Sequence, residues 1–246
     1  MAAGNPQPPF SIKRAAKLKT KKRRETERLF LAEGEVLLRE AKEAPRHVFE
    51  EPDEIKRVSS LATSTGPVGV FRFVDVPPER LLSGRSGGVE ESGKANATPL
   101  RRVVLLHGVQ DPGNVGTVIR SAHAFGAGVA LSAGCADLYN PKTVRGTMGA
   151  IFHVPVSREV SSVEFLRAAR ESGFASVAAT VEEGESPRNL PGGRLVIVVG
   201  SEGSGLPEEV VRACDLRVTI PSSAPSLNAA VAASILLYEA HSGVLT

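Results

Sequence analysis

Tryptophan is absent and aromatic residues make up only 4% of the 246 residues, so a core has to be built mainly from Val, Leu, Ile and Ala. Cysteine occurs twice, at Cys135 and Cys214, far apart and without paired spacing. That argues against a disulfide framework or a zinc site and makes a reducing compartment the default. The five histidines form no ligand pair, so His107, His123 and His153 read as packed or surface side chains and no metal is expected. No run approaches the roughly 18 apolar residues of a transmembrane helix. The N-terminus also lacks the apolar core of a secretory signal. A membrane partner is therefore not expected.

Acidic residues are missing from the first 24 positions, which carry eight basic ones: Lys13, Arg14, Lys17, Lys19, Lys21, Lys22, Arg23 and Arg24. Of 30 basic residues, 22 are left for the remainder against 27 acidic ones, a balance of −5 beneath the overall +3. A basic arm on a mildly acidic body is the electrostatic footprint of phosphate-backbone binding. The same composition suits a solvated tail or the remnant of an organelle-targeting peptide. Cytoplasm, chloroplast and mitochondrion therefore all stay open.

The length accommodates one large domain or two smaller ones. Composition divides the chain into a flexible basic arm (1–24), a small N-terminal unit (25–82), a linker (83–100) and a larger unit (101–246). The small unit holds an amphipathic stretch at 25–44 and apolar pieces near 47–49 and 68–76. The linker, SGRSGGVEESGKANATP and its flanks, cannot bury enough apolar area to offset its ordering entropy.

In the larger unit, short apolar runs at 103–106, 129–132, 151–156, 175–180, 195–200 and 216–220 read as strands. Helices are expected near 115–125, 161–172, 207–213 and 229–241. Ser161 and Glu164 have capping-box spacing, Gly173 is placed to end that helix, and Pro207 suits a first helical turn. Near-continuous apolar strands alternating with helices predict an α/β domain with a mainly parallel sheet covered on both faces.

Ligands in such sheets bind beyond the carboxyl ends of the strands, which points to three loops at 108–116, 200–206 and 221–228. In the first, Asp111-Pro112-Gly113 forms a turn and Asn114 is placed as the N-cap of the following helix, with Arg120 six residues on. An Asn and an Arg near a helix N-terminus suit a phosphate or a polar hydroxyl. In the second, GSEGSG, Glu202 stands among glycines that let backbone approach a ligand closely. In the third, Ser226-Leu227-Asn228 precedes a helix rich in small apolar residues, suited to tight burial in the core or against a second subunit. Each loop alone also reads as a capped helix or a plain turn. As a dinucleotide fingerprint the glycine loop comes too late in the chain, which argues against a Rossmann oxidoreductase.

Taken together and in order, these loops resemble the SpoU (TrmH-like) branch of the SPOUT RNA methyltransferases. The N-x5-R segment is Asn114 to Arg120, and the G-x-E-G loop is Gly200-Ser201-Glu202-Gly203. The I-P…S-L-N segment is Ile220-Pro221 with Ser226-Leu227-Asn228, continuing to Ala232. The stretch NPKTVRGTMGAIFHVPV between the first and second motifs is similar as well, so the resemblance covers 101–241. RRETERLFLAEGEVLLREA and GPVGVFRF look, more loosely, like the family's small α/β RNA-binding domain.

The resemblance implies a SPOUT-type α/β catalytic domain whose C-terminal segment threads a deep trefoil knot. It implies a homodimer whose interface borders the site, and S-adenosylmethionine held by backbone around Gly200, Ile220 and Leu227. The substrate it implies is a ribose 2′-hydroxyl of RNA, and the separate N-terminal domain favours ribosomal over transfer RNA. By match, Arg120 is nearest the chemistry, Asn114 and Glu202 position it or the substrate, and Ser226 and Asn228 complete the site. One departure is the third loop, where only Ser222-Ser223-Ala224-Pro225 separate Pro221 from Ser226. This is shorter than usual in the family, and it supports a rival reading as an inactive RNA-binding member acting in ribosome assembly.

Overall fold

The computed structural model describes residues 10–41, 43–61, 66–83 and 100–242. The chain forms two units, one of residues up to Phe73 together with Tyr139–Pro141, the other of Val74–Leu138 and Lys142 onward.

The smaller unit opens with α1 (Ile12–Lys17) and α2 (Lys21–Glu27), followed by β1 (Leu29–Glu33), α3 (Glu35–Glu40), β2 (His47–Phe49), α4 (Pro52–Val58) and β3 (Val68–Arg72). Its sheet is antiparallel in the order β1-β3-β2. The expected flexible arm is corrected from Phe10 onward, while residues 1–9 of it lie outside the described residues. Phe10, Ala15 and Leu18 are buried in one core with Leu29, Leu31, Phe49, Ile55 and Val58. Each large side chain buried this way is worth about 1.5–3 kcal/mol, more than enough to hold a six-residue helix against the sheet. Arg24, buried despite its charge, donates to the carbonyls of Leu18 and Lys19 at 2.9 and 2.8 Å. It thereby satisfies acceptors that the end of α1 would leave bare.

The amphipathic stretch at 25–44 is likewise not one element. Leu29–Glu33 is buried on both faces and runs as a strand, and Gly34, at φ +105, turns the chain into α3. The boundary with the second unit falls after Phe73 rather than at 82. Val76 donates its N–H to Val156, and Leu81 and Leu82 of α5 (Pro78–Leu82) are buried in the larger core. Of the predicted linker, 84–99 lies outside the described residues, and Leu100 is buried with the strands that follow.

The larger unit continues with β4 (Arg102–Leu106), α6 (Pro112–Ala124), β5 (Ala127–Ser132), α7 (Pro141–Gly146), β6 (Val156–Val160), α8 (Ser162–Glu171), β7 (Ala175–Ala179), β8 (Leu195–Val199), α9 (Glu208–Ala213), β9 (Leu216–Val218) and α10 (Ala229–Ser242). Six strands form one parallel sheet in the order β6-β5-β4-β8-β7-β9. All of β4, β5 and β8 is buried, as central parallel strands require.

The strand expected at 151–156 is a correction. Gly149 at φ +93 starts a short 3-10 turn, Ala150–Phe152, and the strand begins at Val156. An edge strand needs only one packed face, so β6 carries polar Ser157, Arg158 and Glu159 and starts where the expected apolar run at 151–156 ends. Arg158 pairs with Asp75 at 3.1 Å.

The sheet places the functional end. From β4 the chain first winds outward through β5 and β6, then returns so that β8 lies on the other flank of β4. The order reverses between β4 and β8, where ligands of open α/β sheets bind. His107 donates its N–H to Val199 at 2.9 Å, so the loops leaving β4 and β8 start side by side. α10 packs on α6, with Ser121 Oγ and Ser234 Oγ 2.7 Å apart, and Arg102 Nε donates to Ala240 O at 3.0 Å.

Candidate active site

Asp111, not Asn114, is the N-cap of α6. Its Oδ1 accepts from Asn114 N at 3.0 Å, and Pro112 occupies the first helical turn. A proline there sacrifices no hydrogen bond and presets the helical φ, so the helix starts three residues earlier than an Asn114 cap implies. Asn114 is thereby the third helical residue, and its side chain is released from capping.

That released carboxamide joins three loops. Asn114 Nδ2 donates to Glu202 Oε1. Asn114 Oδ1 accepts from Asn228 Nδ2 at 3.1 Å. Asn228 Oδ1 in turn accepts from the N–H groups of Ala230 and Val231, at 2.9 and 3.2 Å, which makes it the cap of α10. Because main-chain N–H groups can only donate, the direction of the whole relay is set from α10: oxygen towards the helix, nitrogen towards Asn114, and so on to the Glu202 carboxylate. Residues 88 and 114 positions apart in sequence are bonded at one spot.

Glu202 reaches the relay on a tight loop. Gly205 N–H donates to Ser201 O at 3.0 Å, and Ser201 Oγ and Ser204 Oγ are 2.8 Å apart. A Cβ on Gly200 would lie 2.3 Å from both the carbonyl carbon and oxygen of Gly205. Glycine at 200 is thus demanded by the loop's own backbone, where close approach to a ligand was the expected reason. Gly203 has open space around it.

Ile220 and Leu227 are half-buried beside these groups in sequence, while Ser226 and Arg120 are exposed. Neither Arg120 nor Ser226 is drawn into the relay. Arg120 lies six residues along α6 from Asn114, about 9 Å up the axis and about 120° around it, with its guanidinium open to solvent.

Two features were not singled out from sequence. The first is the anchoring of α6 on α7. A Cβ on Gly116 would lie 2.7 Å from Thr143 O and 2.9 Å from Gly146 Cα. A glycine inside a predicted helix is the signal that could have marked such a contact. The second is the ion pair of Lys142 Nζ with Asp111 Oδ2 at 3.0 Å. The Lys142 ammonium, then the Asn114 N–H, hold the Asp111 carboxyl below the ordinary carboxylate range. A group whose pKa is depressed by folding contributes stability above its unfolded value and loses it as pH falls through the folded one. Asp111→Asn should therefore lower the melting temperature by about 1–2 °C at neutral pH, as expected for an exposed pair. The difference should close in acid, below the usual carboxylate pKa, when melting is followed against pH.

Comparison with known proteins gives a consistent result. The profile of the SpoU rRNA Methylase family matches residues 101–238. The 23S rRNA (guanosine(2553)-2′-O)-methyltransferase RlmP of Bacillus subtilis is 34% identical over 252 residues, spanning 92% of this chain and 94% of that protein. The crystal structure of an AdoMet-bound rRNA methyltransferase from Sinorhizobium meliloti superposes with a TM-score of 0.81 at 26% identity, covering 99% of this chain and 98% of that one. A solved RNA 2′-O ribose methyltransferase gives 0.71 at 28% identity, covering 100% and 98%.

Proposed function

The chain belongs to the SpoU rRNA methylase family, and on that footing we propose that it transfers a methyl group from S-adenosylmethionine to a ribose 2′-hydroxyl of ribosomal RNA. The observation that carries the reading is the Asn114–Glu202–Asn228 relay, which gathers the three family motifs at the switch point of the sheet.

The residues present fit the donor. Ile220 and Leu227 are half-buried, and among the described residues no hydrogen bond engages the main-chain N–H of either. Half-buried apolar side chains flanked by uncommitted main-chain donors and acceptors suit the edge and faces of an adenine, with Gly200 turning the neighbouring loop. The donor supplies an electrophilic methyl on a sulfonium.

What the protein has to add is position and charge. A ribose hydroxyl is a poor nucleophile at neutral pH, so it must be held in line and helped to lose its proton. Glu202 spends one oxygen on Asn114 and presents the carboxylate to solvent, where it can accept a hydrogen bond from the hydroxyl or from Arg120. The Arg120 guanidinium is assigned to the adjoining phosphate and the developing alkoxide. Ser226 and Asn228 complete the wall on the α10 side.

Three further parts of the reading belong here. The exposed Lys13, Lys17, Lys19, Lys21 and Lys22, with Lys56 and Arg57 of α4, are assigned to RNA phosphates, and binding should weaken with salt accordingly. This use treats the basic segment from Phe10 onward as part of the folded enzyme. The exposed Val231 and Tyr238, seven residues apart on α10, are assigned to a homodimer interface. The trefoil knot is supported by β9, which is hydrogen-bonded on both flanks by earlier chain before it leads into α10.

The test is a calorimetric titration of the full chain with S-adenosylmethionine, followed by methyl transfer to ribosomal RNA lacking the modification. Micromolar binding with turnover is expected. A silent titration would favour the inactive RNA-binding alternative.

A further inference from the structure

The two flanks of β9 are closed by different parts of one earlier segment. On the inner flank, Thr180 N–H donates to Val218 O at 2.9 Å. On the outer flank, Glu185 N–H donates to Arg217 O at 2.9 Å, and Thr219 N–H donates to Glu185 O at 3.0 Å. Residues 180–185 therefore loop around the strand immediately before Ile220.

Gly184 is where that loop is tightest. Its N–H donates to Thr219 Oγ1 at 3.0 Å. A Cβ at this position would lie 2.5 Å from both Thr219 N and Val218 C, and 2.6 Å from Thr219 Oγ1. Two of these three atoms are backbone, so no side-chain rotation can relieve the overlap. Thr219 Oγ1 also lies 3.4 Å from Thr180 Oγ1, so one hydroxyl joins both ends of the loop. Nothing in the function assigned above uses Gly184 or Thr219.

We propose that Gly184 and Thr219 form a latch that fixes the main chain of Ile220 and thereby sets affinity for the methyl donor. The inference rests on reading Ile220 as a donor contact. Both are positioning residues, acting through Ile220. An added methyl at 184 must force this loop and Thr219 apart, because β7 backs the strand on its other flank. Loss of the Thr219 hydroxyl leaves the geometry intact but frees the loop.

The experiment titrates S-adenosylmethionine into wild-type, Gly184→Ala, Thr219→Val and Thr219→Ser full-length proteins, with thermal melting and RNA retention measured alongside. Gly184→Ala should weaken donor binding by about tenfold or more, and Thr219→Val by about three- to tenfold. Thr219→Ser should bind like wild type, and RNA retention should be unchanged in all. Thr219→Val keeps the test sharp if Gly184→Ala fails to fold. Folded Gly184→Ala and Thr219→Val proteins that both bind donor within twofold of wild type would overturn the latch. A wild-type protein that binds no donor would instead overturn the donor-site reading, and the latch with it.

Discussion

Arg120→Ala should reduce methyl transfer by about a hundred- to a thousandfold while leaving the affinity for S-adenosylmethionine within about twofold, the scale seen when one preorganised transition-state donor is lost. The separation follows from where Arg120 stands. It is exposed on α6, outside the Asn114–Glu202–Asn228 relay and away in sequence from the loops that hold Ile220 and Leu227. Removing it should leave the fold intact, since an exposed helical substitution typically shifts stability by less than about 0.5 kcal/mol. On the proposed role, what it takes away is a fixed positive charge at the phosphate and developing alkoxide. Lysine should restore only part of the rate, because a point charge cannot reproduce the planar two-point contact of a guanidinium. Transfer kinetics beside calorimetry would check this. Collapse of donor binding as the main defect would place Arg120 in the donor pocket instead.

Asn114→Asp should cost about a hundredfold in turnover, more than its small change in shape suggests. Two main-chain donors at the start of α10 orient Asn228, and Asn228 orients Asn114, so position 114 has to accept on one side and donate on the other. A carboxylate can do only the first. It would face the carboxylate of Glu202 across a hydrogen-bond distance, and like charges so placed repel. Two consequences separate this account from a general loss of structure. The defect should shrink as pH is lowered, when the crowded carboxylates share a proton. Adding Glu202→Gln should recover about tenfold, because a carboxamide can donate to the new carboxylate. If Asn114→Asp and Asn114→Ala behave alike, with no gain from the second change, the direction of the relay has no functional role.

How far the sequence reaches differs by element. Central strands such as β4, β5 and β8 are legible because a parallel strand buried on both faces has to be an unbroken apolar run. β6 is not, because at the sheet edge it tolerates Arg158 and Glu159, and the neighbouring apolar run belongs to a 3-10 turn. The basic segment reads as an arm because its charges dominate its composition, while the burial of Phe10, Ala15 and Leu18 decides its fate. In the site, the loops carrying Asn114, Glu202 and Asn228 could be found from motif order. That their side chains bond one another could not, since the contacts span distances along the chain that no local pattern encodes. The same holds for Gly116 against Gly146 and Gly184 against Thr219, where a glycine marks close approach without naming the partner.

The most direct measurement is the position of the transferred methyl. Ribosomal RNA lacking the modification would be incubated with methyl-labelled S-adenosylmethionine and the full-length protein, then digested to nucleosides. The account predicts label on a single 2′-O-methylribose, formed about a hundredfold or more slowly with Arg120→Ala. Label on a base, or undiminished ribose labelling after that substitution, would contradict it.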